Sequence, residues 1–250
     1  MNSWVFPRGR VRLFDAVRGF SVVSMVLFHL CYDLVFIVGV DVAWFAPPAQ
    51  DVWRASISWT FLLVSGWMCS FSHNNLTRSV RYLAVALAIF LATSAVAVDD
   101  PISFGIIFCI GASTLTDVLL ERAHLEPRGL ACAAALLAAF ALTLNVPVGE
   151  MGVGSWELSL PASWYEGPWL AWLGLPGGGF VSGDYYPLVP FAFMYGAGVA
   201  LGRWFAPRGY PPGLLEAHCA PLEWAGRHAL PIYVVHQPLL LLALFALGLY

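Results

Sequence analysis

The sequence predicts an all-α fold: a polytopic integral membrane helical bundle of about seven transmembrane helices, with its N-terminus in the cytoplasm. Three observations lead there. Of the 250 residues, 60% are hydrophobic and only 11% are charged, whereas a soluble domain carries about 25% charged residues. The apolar residues gather into seven runs of the length needed to cross ~30 Å of hydrocarbon. No lysine occurs, and seven crossings place eleven of the twelve arginines on one face, which the positive-inside rule makes the cytoplasm.

In chain order the spans are 13–38, 55–72, 82–98, 102–120, 129–147, 185–205 and 229–249. Arg8, Arg10, Arg12 and Arg18 precede or open the first; Arg78 and Arg81 follow the second. Arg122 and Arg128 follow the fourth, and Arg203, Arg208 and Arg227 lie between the sixth and seventh. Only Arg54 falls on the other face, which is acidic and aromatic, with Asp41, Asp51, Asp99, Asp100, Glu150, Glu157, Glu166 and Asp184 beside Trp44, Trp156, Trp164, Trp169 and Trp172. The first span is a retained helix, because no short apolar region ends in a small-residue cleavage site. The 148–184 connection is the one long non-cytoplasmic loop. It is too apolar for a solvated linker, so short helices at the outer interface are expected, where tryptophan prefers to sit. The inner connection 204–227 is expected to end in a short surface helix. Everything fits one domain, residues 1–250, in the cell (inner) membrane.

The composition also excludes chemistry. The five cysteines, Cys31, Cys69, Cys109, Cys132 and Cys219, show neither CxxC nor ligand spacing, so no metal site and no disulfide framework is indicated. Gly177-Gly178-Gly179 lacks the Lys-Ser/Thr of a phosphate loop and is read as a turn.

The first span, VRLFDAVRGFSVVSMVLFHLCYDLVFIV, carries the chemistry. Eleven helical steps from Arg18 put His29 ~16 Å deep, near the bilayer midplane. An ionisable side chain there is costly unless it meets a partner or a polar cavity, which makes it a functional-site candidate. Asp33, four residues on, shares its helix face and could orient the imidazole for acid–base work. A plain helix–helix lock by a buried His–Asp pair is the alternative. His236 lies nine residues beyond Arg227, ~13 Å deep, so a shared cavity with His29 is expected, opened by a kink at Pro238. Gln237 would line it. On the cytoplasmic side, SFSHNNLTRSVR offers Asn74, Asn75 and Arg78 to an anionic, hydrogen-bonding ligand such as a nucleotide phosphate. An ordinary positive-inside loop explains the arginines equally well. In DYYPLVPF, Asp184 could line an outer substrate vestibule. His73, His124, His218 and His228 are given no role.

These residues bring a resemblance. RLFDAVRGFSVVSMVLFHLCYDL resembles the opening of a bacterial membrane family related to heparan-alpha-glucosaminide N-acetyltransferase, formerly a domain of unknown function. SGWMCSFSHNNLTRSVRYL, FGIIFCIGAS, DYYPLVPFAFMYGAGVALGR and GRHALPIYVVHQPLL follow in order. The Arg18-to-His29 spacing is similar to the arginine-to-histidine motif of the wider transmembrane acyltransferases. Phe108 departs from the family pattern, which carries histidine there. The resemblance implies an acyl-CoA-dependent transferase that moves an acyl group, acetyl above all, from cytoplasmic coenzyme A thioester to a hydroxyl or amine acceptor at the other face. That acceptor would be a small molecule, a glycan or a lipid-linked group. His29 would be the base and Asp33 its orienter. Arg18, Asn74, Asn75 and Arg78 would hold the acetyl-CoA, and His236, Gln237 and Asp184 would meet the substrate. Membrane lipids surround such a protein, a homodimer is its expected assembly, and nucleic acid has no place in it. The rival class is a proton-coupled transporter or channel with a His/Asp relay, since mid-membrane ionisable groups serve relays equally well.

Overall fold

The structure, a computed structural model, describes residues 11–96, 100–211, 215 and 219–249. Arg8, Arg10, Asp99 and His218 lie outside them. A helix occupies each of the seven expected segments: α1 (Arg12–Phe36), α2 (Ala49–Trp67), α3 (Asn75–Ala95), α4 (Ile106–Arg122), α5 (Leu130–Thr143), α6 (Leu188–Phe205) and, after the short α7 (Ala220–Arg227), α8 (Ala229–Ala246). Within a bilayer only helices and closed barrels satisfy every backbone group internally, and a single apolar run of some twenty residues does so as a helix. Five, those beginning at Arg12, Asn75, Leu130, Leu188 and Ala229, are long and apolar enough to cross a membrane. Of the other two, α2 opens with Asp51 and Arg54, and α4 has 17 residues.

The surface of these helices shows what surrounds them. In the most apolar window of α3 only 6% of residues are buried, and Val80, Leu87 and Leu91 are all more than half exposed. Phe20 and Leu27 on α1 and Leu239, Leu242 and Phe245 on α8 are equally bare. Apolar stripes of this extent on several helices would collapse in water and are at rest in lipid. The chain is a multi-pass membrane protein.

It folds as two compact units, Met1–Val64 with Gly209–Tyr250, and Ser65–Arg208. In the first, α1 and α7 touch backbone to backbone. A Cβ on Gly19 would lie 1.8 Å from the Leu222 carbonyl oxygen, and one on Gly226 would lie 1.8 Å from that of Asp15. No other residue type permits this approach. Further along α1, Ser24 Oγ accepts from Trp53 Nε1 at 2.8 Å, and Phe28, Phe45 and Trp53 form an aromatic core.

In the second unit α3 docks on α4 through Gly111, whose hypothetical Cβ meets Leu83 at 2.9 Å, while Ser79 Oγ donates to the Gly111 carbonyl at 2.8 Å. At one end of the unit α4 and α6 meet through charge: Arg203 grips Asp117 with bonds of 2.6 and 3.1 Å. At the opposite end of α4, Asp184 Oδ2 accepts from the Ile106 amide at 3.0 Å and caps the helix. The long connection holds the expected short helices, at Ala162–Tyr165 and Pro168–Leu173. It also holds an unexpected hairpin, β1 (Glu150–Val153) and β2 (Trp156–Ser159), with Glu150 opposite Ser159. The Gly177-Gly178-Gly179 run is indeed a turn, closed by the Phe180 amide on the Gly177 carbonyl.

Candidate functional site

The polar residues of the first unit converge where α1 passes α8. The His29 and His236 rings lie with centroids 4.9 Å apart at an interplanar angle of 62°. Equal depth was the sequence argument, though counted from the wrong residue: the helix breaks at His228, so Arg227 belongs to α7 and the rise to His236 starts at Ala229. Pro238, where a kink is expected, lies inside a helix that continues to Ala246.

Asp33 is fully buried, and its partner differs from the expected one. Gln237 Nε2 donates to Asp33 Oδ1 at 2.9 Å and to Oδ2 at 3.1 Å. Among the described residues no hydrogen bond joins Asp33 to His29. A helical neighbour at i+4 presents its side chain to the same face, but here that face meets α8, and an amide reaching across the gap satisfies the carboxylate better than an adjacent imidazole. The Gln237 nitrogen faces both oxygens of Asp33, and Oε1 of the same amide is buried with no partner among the described residues. Asp33 thus lies one helical turn from His29, with its carboxylate bound to Gln237.

His236 is 9% exposed, and its Nδ1 lies 2.7 Å from the Tyr233 carbonyl oxygen. A carbonyl only accepts, so in the neutral ring Nδ1 carries the proton and Nε2 the lone pair. The site thus offers two imidazoles in contact, one with its tautomer set, beside a carboxylate held by an amide.

Nearer the start of α1, Arg18 lies 3.7 Å from Asp15, both largely buried, against the α7 crossing. Glu223 on α7 is also buried, with Oε1 unpartnered among the described residues.

The remaining expected site residues belong to the second unit, and the fold already uses most of their polar atoms. Asn74 Oδ1 caps α3 by accepting from the Thr77 amide at 2.9 Å. Asn75 Nδ2 donates to the Cys69 carbonyl at 3.3 Å, and Arg78 donates to the Ser65 carbonyl at 2.9 Å and to Cys69 Sγ at 3.3 Å. Cys69 Sγ in turn lies 2.9 Å from Tyr195 Oη, which lies 2.6 Å from Thr114 Oγ1. Asp184, expected in a vestibule, is the cap on α4. Sequence reasoning passed over Asp117, Tyr195 and Glu223. Asp117 and Glu223 carried a readable signal, being carboxylates in or beside apolar helices; Tyr195 carried none, because a tyrosine in a span is ordinary.

Among the described residues no group of three or more His, Cys, Asp or Glu could hold a metal ion. No curated protein and no solved structure matches the chain significantly. The family comparison is positive over residues 10–238, which takes in α1 with His29 and Asp33 and ends at Pro238, just past His236 and Gln237. A transferase of the membrane is thus indicated by both the helices and the match: the chain belongs to the family of heparan-alpha-glucosaminide N-acetyltransferase catalytic domains.

Proposed function

We propose that this protein transfers an acetyl group from acetyl-CoA on the cytoplasmic side of the cell (inner) membrane to an amine or hydroxyl, an amino sugar being the acceptor that the family's name suggests. The observation that carries the reading is the contact between His29 and His236, two titratable rings between apolar helices, the first partly exposed and the second buried. Such groups are costly in lipid and mark functional sites by default. Imidazole, with an ordinary pKa of ~6.5, suits proton transfer near neutral pH.

In this reading His29 is the general base that takes the acceptor's proton as its nitrogen or oxygen attacks the thioester carbonyl. The Asp33 carboxylate, fixed by Gln237, stabilises the imidazolium by its field. Arg18 is proposed as the contact for the donor's phosphates, drawn from the same helix as the base. For Asn74, Asn75 and Arg78 the case for donor binding is weaker, because those side chains are committed to the backbone and to Cys69.

Purified protein in lipid nanodiscs, supplied with acetyl-CoA and glucosamine, tests this by release of free CoA and formation of the acetylated sugar. Wild type should turn over, and His29→Gln should lose ~10²–10⁴-fold in rate with its thermal midpoint unchanged. Retained activity in His29→Gln would move the base elsewhere. A wild type that transfers nothing but conducts protons in liposomes would replace the enzyme with a relay.

A further inference from the structure

We propose that His236 is a second proton-handling group: it receives the proton that His29 takes from the acceptor and delivers it to the departing CoA sulfur. The inference deepens the acetyltransferase reading and rests on it. In the reaction the acceptor's X–H bond breaks, a bond forms between X and the acyl carbon, and the C–S bond breaks. The proton shed by X is the one that the thiolate finally gains, so nothing is oxidised or reduced and no further reactant is needed.

Three features of the pair fit that path. The rings are in contact at 4.9 Å between centroids with no hydrogen bond between them, so a turn of one ring or a single bridging water completes the path without either helix moving. His236 Nδ1, 2.7 Å from the Tyr233 carbonyl, is committed as a donor, which leaves Nε2 as the atom that accepts and releases the travelling proton. The third feature is charge. Two imidazolium ions at this separation in an apolar medium repel strongly, so the pair holds one extra proton at a time. Whatever His29 takes up must leave before the next cycle, and among the described residues His236 is the titratable ring in contact with it. Gln237 does not compete for the role, because an amide does not titrate and its nitrogen is bound to both oxygens of Asp33.

The experiment compares two donors in full-length protein: acetyl-CoA, and the acetyl thioester of p-nitrothiophenol, whose acidic thiol leaves without being protonated. Glucosamine is the acceptor throughout. In a single turnover, where His29 starts unprotonated, His236→Gln should lose ~10²-fold or more with acetyl-CoA, and recover to within a few-fold of wild type with the aryl thioester. His29→Gln should stay inactive with both. Equal losses on both donors, or full activity of His236→Gln with acetyl-CoA, would overturn the proposal while leaving His29 as base. If wild type fails with acetyl-CoA, the acetyltransferase reading falls and this one with it. Should His236→Gln not fold, a proton inventory on wild type in mixed H₂O and D₂O decides: a bowed dependence of rate on deuterium content is expected for two protons in flight, and a linear one refutes the relay.

Discussion

The most consequential single contact in the first unit is the Gln237 amide on the Asp33 carboxylate. Asp33 is wholly buried and accepts two hydrogen bonds from one nitrogen. Removing Gln237 alone leaves the buried carboxylate without this donor, which is worse than removing both partners. Gln237→Leu should therefore destabilise the protein by about 3 kcal/mol or more, whereas the double variant Asp33→Leu with Gln237→Leu should recover most of that loss. Asp33→Asn keeps a polar partner for Gln237, so it should fold and yet lose the charge that steadies a protonated His29. Thermal unfolding in detergent, read beside acetyl transfer, checks the set. Equal destabilisation of the single and double leucine variants would mean that the contact matters for packing and not for charge. Nothing local could have shown this pair. Asp33 and Gln237 are 204 residues apart, and the i+4 rule names His29 as the partner because it sees one helix alone.

At the scale of elements, the close crossing of α1 and α7 gives the first unit its geometry. Gly19 and Gly226 each face a carbonyl oxygen of the other helix at a distance no Cβ can occupy. Membrane helices associate largely through such small-residue contacts, since lipid supplies no hydrophobic drive between them. Gly19→Ala or Gly226→Ala should force the helices apart and cost ~1–3 kcal/mol or more. Gly196→Ala on α6 is the contrasting case: its Cβ would meet Leu136 at an ordinary 3.4 Å, so little change, or a small gain from helix propensity, is expected. Thermal midpoints of the three variants decide; a stable Gly226→Ala would deny the crossing its role. The elements themselves were largely legible, because hydropathy over some twenty residues is a strong signal. The hairpin at Glu150–Ser159 was not. Its strands have four residues each, all of β2 is exposed, and the alternation in β1 runs only between half-buried and exposed positions. Interface tryptophans dominated that stretch and suggested helices.

For the whole molecule the decisive question is which ends face the cytoplasm, and the second unit carries an argument of its own. Arg203 at the end of α6 binds Asp117 and also reaches Glu121 at 3.5 Å, so the arginine-rich ends of α4 and α6 lie together. The opposite end of α4 is capped by Asp184 and tied to the acidic, tryptophan-bearing connection through Ser182 and Ser103. Charge is thus segregated in space as well as along the chain, with Arg122, Arg128 and Arg208 towards one face and Glu150, Glu157 and Glu166 on the connection to the other. The positive-inside rule then puts Arg128 in the cytoplasm and Trp164 outside. Both side chains are at least half exposed, so cysteines there are open to reagents. In a background with Cys219, the exposed native cysteine, changed to serine, Trp164→Cys should react with a membrane-impermeant maleimide on intact cells. Arg128→Cys should react only after the membrane is opened. The reverse pattern would invert the second unit in the bilayer, with the arginine-rich ends of α4 and α6 outside and the tryptophan-bearing connection in the cytoplasm.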